Sequence, residues 1–309
     1  MDETDMRLCQ ILIVNSRLPY REIAERLGIS VQAVHRRIQS MVDEGVIRAF
    51  TARLSVGHLG AMRAYVFGTP SLTSFKEVVD RLAKNDRTEN AIATSSNGLF
   101  LVALLRSISE LEGYVDFVES AVSMPTPGVA LEGTTQFINA PDRSAGARVA
   151  PLSGIDIRIL RSLHRDSRKA VEDVSGELGL SAKTVKRHLD RMVAEGAVEF
   201  GIDFEPASSP GVGAFIIMDL KPGSDRAAVR RDLAAELGSA LFTITTSSDR
   251  PDSLSMMSWS ATSLRHRELV DRIGAHPAAV AVLSHLVIEA RAFETWRDRL
   301  LDERAGGPE

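Results

Sequence analysis

Gln32, His35, Arg36, Arg37 and Gln39 crowd the stretch LGISVQAVHRRIQSMVDEGVI (27–47), and side chains of these types recognise nucleic acid. An arginine fork matches the O6 and N7 acceptors of guanine, and a glutamine amide matches the edge of adenine. The phrase returns at 178–198 as LGLSAKTVKRHLDRMVAEGAV, where Lys183, Thr184, Lys186, Arg187, His188 and Arg191 are opposed only by Asp190. Such cations contact phosphate oxygens as readily as bases, so they speak for affinity before they speak for sequence reading. A basic row on one exposed helix is ordinarily just solvated. Its repetition, with Arg36 and Arg187 in the same place, favours a binding surface.

The elements that must hold these residues follow from the repeat. DMRLCQILIVNSRLPYREIAERLGIS from Asp5 lies without gaps on DIRILRSLHRDSRKAVEDVSGELGLS from Asp156, a displacement of 151. Leu12, Ser16, Arg17, Gly28, Ser30, Val34, Arg36 and Met41 each meet an identical partner at that distance, and Gly60, Val78 and Leu82 continue it. The register fails near Asn97, where the second copy has a longer loop. Apolar spacing in the first copy gives three helices, faced by Leu8, Ile11 and Leu12, by Ile23 and Leu27, and by Val34, Ile38 and Met41. Gly28 suits the left-handed turn before the third helix, and Ser30 its N-cap. With Val34, Ile38 and Met41 inward, Gln32, His35, Arg36 and Gln39 project outward. Three helices with this turn form a helix-turn-helix, and VIRAFTARLSV after it alternates like a two-stranded hairpin wing. Then come strand, helix, two strands, helix and strand, the βαββαβ order of a ferredoxin-like sheet. The expected class is therefore α+β, with two tandem units, each a winged helix-turn-helix followed by a ferredoxin-like domain. The corresponding segments are 1–54, 60–139, a linker rich in Pro, Gly, Ala and Ser at 140–154, then 155–205, 210–290, and a C-terminal helix and tail at 291–309.

Composition narrows the function. With 309 residues and 44% hydrophobic content the chain buries more than one core, and its net charge of −4 requires any attraction to DNA to be local. The single cysteine, Cys9, excludes an internal disulfide and reads as a buried thiol in a reducing cytoplasm. No apolar run reaches the roughly 20 residues of a membrane span. Neither GxxxxGK[ST] nor GxGxxG occurs, and the seven histidines form no metal-binding pattern, so neither cofactor nor metal is expected. His266 and His276 read as surface residues, Trp259 as a core or interface residue, and Trp296, with Phe293 and Leu300, as the packing face of the terminal helix.

DMRLCQIL, NSR, EIAERLGIS, VHRRIQSM and EGVIRAFTARLSVGHLGA in the first half, with DIRILRSL, DSR and the 178–198 phrase in the second, resemble the leucine-responsive/asparagine-operon regulators, the Lrp/AsnC family. The resemblance implies a DNA-binding winged helix-turn-helix and a ferredoxin-like domain that dimerises and senses amino acids or similar small molecules. It makes Ser30 through Gln39 a recognition helix and matches Arg37 to a basic position of the family, which is His188 in the second half. It implies double-stranded DNA as partner and a homodimer or, since the chain carries two units, an intrachain pseudo-dimer. The family's effector loop falls on SSNGLF (95–100) and SSDRPDSL (247–254), where Asn97, Gly98, Asp249 and Asp252 are the nearest equivalents; a plain turn explains them better. Two alternatives stay open: a siroheme-decarboxylase-like enzyme on the same fold, and an architectural DNA binder without site preference.

Overall fold

The structure, a computed structural model, describes residues 1–71, 74–138, 151–205 and 210–305. The first half runs α1 (Glu3–Val14), α2 (Tyr20–Leu27), α3 (Val31–Asp43), β1 (Ile47–Leu54), β2 (Met62–Gly68), α4 (Phe75–Leu82), β3 (Thr88–Thr94), β4 (Leu99–Leu105), α5 (Leu111–Val122) and β5 (Gly128–Phe137). The second repeats it with α6 (Gly154–Leu163), α7 (Val171–Leu178), α8 (Ala182–Ala194), β6 (Val198–Phe204), β7 (Val212–Leu220), α9 (Arg226–Leu237), β8 (Leu241–Ser247), β9 (Ser253–Ser260), α10 (Ser263–Gly274) and β10 (Ala279–Ala292), then adds α11 (Trp296–Ala305). Residues 140–150 of the expected linker lie outside the described residues, and its last two residues already belong to α6, Ser153 as N-cap and Gly154 as first residue. Among the described residues no helix is long and apolar enough to cross a membrane.

The halves do not fold one after the other. They combine by kind into two compact units, one containing both ferredoxin-like sheets together with Met1–Gln10, most of α1, and the other the remainder of both helix-turn-helices. In the sheet unit each half contributes strands in the order second, third, first, fourth, and the two sheets close into a barrel ordered β10-β3-β4-β2-β5-β8-β9-β7. Alternation along the strands sends one face to the helices and the other into the barrel. On the helix side, Ala64, Val66 and Leu101 pack with Tyr114 and Val118. Ile216, Met218 and Met256 pack likewise with Leu233 and Leu269.

Closure depends on the fourth strands, which split their edges between the sheets. β5 pairs first with β2 and then with β8, and Ile138 beyond it donates to the Phe242 carbonyl at 2.9 Å and joins the second core. β10 mirrors this by pairing with β7 and then β3, after which Phe293 donates to the Glu89 carbonyl at 3.0 Å and packs on the first core. The strand faces turned from the helices carry Tyr65, Phe67, Phe100 and Phe215, with Phe100 and Phe215 ring centroids 5.0 Å apart. Beside them Arg63 bonds Glu89 at 2.6 Å, while Tyr65 and Thr135 each donate to Glu132 at 2.9 Å. Burial, and then Glu132, push the Tyr65 phenol well above its ordinary range.

Three expectations are corrected. The residues after each third helix are no hairpin: β1 and β6 are single strands that pair antiparallel with each other. An isolated hairpin is marginal in water, and the two copies offer each other a longer partner. Arg291 and Ala292, placed by sequence at the start of the C-terminal helix, instead end β10, because β3 supplies ladder partners as far as Asn90. His266 is buried, its Nε2 2.8 Å from Ser284 Oγ, and desolvation lowers its pKa. Cys9 and Trp259 are buried as expected.

The crossing of β5 leaves no room for a side chain at Gly133, where a Cβ would lie 2.3 Å from Thr246 Oγ1 and 2.8 Å from its carbonyl. Gly133→Ala should therefore destabilise the barrel by about 1–3 kcal/mol, read as a lower midpoint in urea unfolding.

Candidate nucleic-acid interface

The third helix of each helix-turn-helix is placed by a left-handed glycine and a serine cap. Gly28 (φ 68°, ψ 33°) ends α2 and returns its N–H to the Ala24 carbonyl, and Ser30 accepts from the Ala33 N–H at 3.1 Å to start α3. Gly179 (φ 65°, ψ 30°) and Ser181 repeat the geometry before α8. Val34, Ile38 and Met41 are buried under α3, as are Val185, Leu189 and Met192 under α8. Gln32, His35, Arg36 and Gln39 are consequently exposed on α3, and Lys183, Lys186 and Arg187 on α8.

The unit that holds both helices is organised around the repeat. In the β1–β6 ladder the pairs Ala49–Asp203 and Ala52–Phe200 exchange under the 151-residue displacement, which makes the junction locally two-fold. Ser16 Oγ meets its own repeat image, Ser167 Oγ, at 2.6 Å. Arg17 donates to the carbonyls of Ser167 and Lys169, and Arg168 donates to those of Ser16 and Leu18. The terminal helix locks this sheet from the second half: Arg53 reaches Asp203 and Asp298 at 3.1 Å each, Arg297 reaches Glu199 at 3.1 Å, and Leu301 enters the core of the second helix-turn-helix. Sequence reading missed Ser16 and Arg17 as structural residues, although their identity with Ser167 and Arg168 was the available signal.

The residues singled out in sequence fall into different roles. Ser30 is spent on its cap, and Thr184 Oγ1 lies 2.8 Å from Ser181 Oγ in the corresponding cap. Gln39 donates to Asp43 at 2.8 Å, and Lys186 pairs with Asp190 at 2.9 Å, both on the exposed side of their helices. Arg36 and Arg187 pair with no described residue and stand at matching positions. Arg37 is half-buried.

His188 and Arg191 turn the other way. Asp156, fully buried at the N-terminus of α6, takes His188 Nδ1 at 2.7 Å on one carboxylate oxygen and Arg191 on the other, where the Ser153 N–H and hydroxyl also donate at 2.7 Å. This buried acid ties α8 to α6, a role no spacing rule signalled. Burial opposes its ionisation, yet the bonds from Ser153, Arg191 and His188 outweigh that and hold its pKa at about 2.

The suggested effector residues lie in two turns of the sheet unit. Asn97 (φ 54°) and Gly98 close the β3–β4 turn, with the Gly98 carbonyl accepting from Thr94 N–H at 2.8 Å. Asp249 accepts from Ser247 at 2.6 Å, and the Asp252 carbonyl accepts from Leu220 N–H at 2.8 Å. Turn closure accounts for the first two of these bonds, and the third extends the β7–β9 ladder.

A family model described as winged helix-turn-helix DNA-binding matches the chain twice, at residues 1–48 and 152–199. The HTH-type transcriptional regulator FL11 of Pyrococcus abyssi is 30% identical over 140 residues, which are 45% of this chain and 88% of that relative. The structure of E. coli AsnC is 24% identical and covers 42% of this chain and 91% of its own, with a TM-score of 0.31. The crystal structure of the siroheme decarboxylase NirDL covers 98% of both chains at 15% identity with a TM-score of 0.60, a likeness of fold.

Because the pKa of Asp156 is depressed from 3.8, its contribution is present above that value and lost as pH falls through about 2. Acid unfolding followed by circular dichroism should show this step in the wild type and lose it in Asp156→Asn. That variant should also be less stable at neutral pH by about 1–3 kcal/mol, since an amide keeps only one of the two acceptor oxygens that the carboxylate offers these donors.

Proposed function

The chain belongs to the Lrp/AsnC family of winged helix-turn-helix regulators, and from that premise we propose that it binds duplex DNA sequence-specifically to regulate transcription. One chain supplies what a homodimer of single units would. The observation that carries this reading is the locally two-fold β1–β6 junction, which joins two helix-turn-helices into one compact body with α3 and α8 exposed. Operators read by paired helix-turn-helices have half-sites about one helical turn, or a multiple, apart.

In this reading α3 and α8 enter successive major grooves. Arg36, Lys183, Lys186 and Arg187 neutralise phosphates, while Gln32 and His35 meet base edges. The two helices differ in sequence, so a single chain prefers an asymmetric site, and a palindrome would recruit two chains. The net charge of −4 confines attraction to these helices and disfavours a sequence-blind packaging role. No effector is assigned to Asn97, Gly98, Asp249 or Asp252.

The whole-chain fold of the siroheme decarboxylase motivates a second reading, a tetrapyrrole-binding enzyme. It is the weaker one, because residues 60–139, the first sheet domain, contain no histidine. An unchanged visible spectrum on adding siroheme is the outcome expected of a regulator.

Binding to fragments of the gene's own upstream region should exceed binding to random duplex by about a thousandfold at physiological salt. Arg36→Ala and Arg187→Ala should each weaken binding and reduce the slope of log affinity against log salt by about 1. Unchanged binding in both variants would overturn the reading.

A further inference from the structure

The two helix-turn-helices are joined symmetrically but are equipped differently. In the first, Tyr20 opens α2 and meets His35 of α3 edge to face, ring centroids 5.6 Å apart at 87°. The other contact of Tyr20 comes from the second half: the Arg168 guanidinium lies over its ring, 4.2 Å from the centroid. Arg168 is itself fixed, since it donates to the Ser16 and Leu18 carbonyls and also faces the Phe50 ring at 5.7 Å. A continuous chain of contacts thus runs from the two-fold junction through an aromatic ring to an exposed imidazole on the reading helix. Aromatic and cation–π contacts of this kind restrict ring orientation.

The second half has no counterpart. The position of Tyr20 is Val171 there and that of His35 is Lys186, so neither ring exists. Arg17, the image of Arg168, faces Phe200 of β6 instead, at 5.7 Å. On α8, moreover, Asp156 holds His188 and Arg191, which leaves Lys183, Arg187 and Lys186, the last beside Asp190 at the surface, as outward cations.

We propose that Tyr20 is a positioning residue which, clamped by Arg168, presents the His35 imidazole to a base edge, so that the first helix-turn-helix reads sequence while the second chiefly supplies phosphate affinity. An imidazole carries a donor or acceptor at each nitrogen and reads a base only when its plane is set. A lysine in its place is a mobile point charge suited to phosphate. This inference rests on the regulator reading above and deepens it.

The test uses the full chain. Duplexes are first selected by the wild type from a random pool, and affinities are then measured for the selected duplex, for versions with either half-site scrambled, and for unselected duplex. The wild type should lose more affinity when one particular half-site is scrambled than when the other is. Tyr20→Val, which installs the residue of the second half, should lower discrimination at the sensitive half-site about tenfold, the worth of a good base contact. Its affinity for unselected duplex should stay unchanged, and Tyr20→Phe, which keeps the ring, should discriminate like the wild type. In a His35→Ala background, Tyr20→Val should cost no further discrimination, because the two residues act as one.

Tyr20→Val with wild-type discrimination, or with equal losses on selected and unselected duplex, would overturn the proposal while leaving the regulator reading intact. Full additivity with His35→Ala would do the same. A wild type that selects nothing from the pool would overturn the regulator reading, and the proposal with it.

Discussion

Antiparallel pairing between the two repeats is the constraint on which the rest of the molecule depends. A strand edge with unpaired N–H and C=O groups is costly to bury and prone to aberrant pairing when exposed. Each repeat makes such edges: β1 has no hairpin partner, and β3 and β5 are the outer strands of the first ferredoxin-like sheet. The other repeat supplies β6, β10 and β8 for them, and the barrel closes. Duplication therefore provides each half with its complement on the same chain. The effective concentration of the partner is set by the chain connection, with no dependence on protein concentration.

Side-chain chemistry at the junction follows the same reciprocity. Arg17 and Arg168 each donate to backbone carbonyls of the opposite repeat, while Ser16 and Ser167 meet hydroxyl to hydroxyl. Burial, and then the nearby Arg168 charge, lower the pKa of Arg17, which disfavours its charged form at the junction. Four carbonyl acceptors offset it. α3 and α8 hang from this junction through cores of aliphatic side chains, so its geometry sets their spacing.

Within that symmetric frame the halves have diverged where divergence is least disruptive. The outward faces of α3 and α8 bear little of the packing energy, so His35 and Lys186, or the half-buried Tyr20 and Val171 beside them, occupy matching positions without disturbing the shared helix-turn-helix. One addition lies on the second half, a terminal helix that pairs with both strands of the junction through Arg53, Glu199, Arg297 and Asp298. The first half reaches its neighbour instead through Tyr20 and Arg168.

The sequence by itself determined the local elements. The 3.6-residue apolar spacing of Val34, Ile38 and Met41, the left-handed glycines at 28 and 179 and the serine caps at 30 and 181 are interactions between residues a few positions apart. Their signals survive in a linear reading. The βαββαβ order was legible for the same reason, and the 151-residue repeat revealed two copies of one unit. Which copy pairs with which lay beyond that reading. A hairpin wing and a β1–β6 ladder leave the same alternation in VIRAFTARLSV, and a C-terminal strand that runs on to Ala292 looks from its spacing like a helix start. His188 and Arg191 carry the charges of a DNA-binding face until Asp156, 32 and 35 residues away, is seen to hold them. Contacts between residues far apart in the chain depend on where the backbone places them. Only the tertiary structure decided them, because composition and periodicity record a residue's neighbours in sequence and carry no register between distant strands.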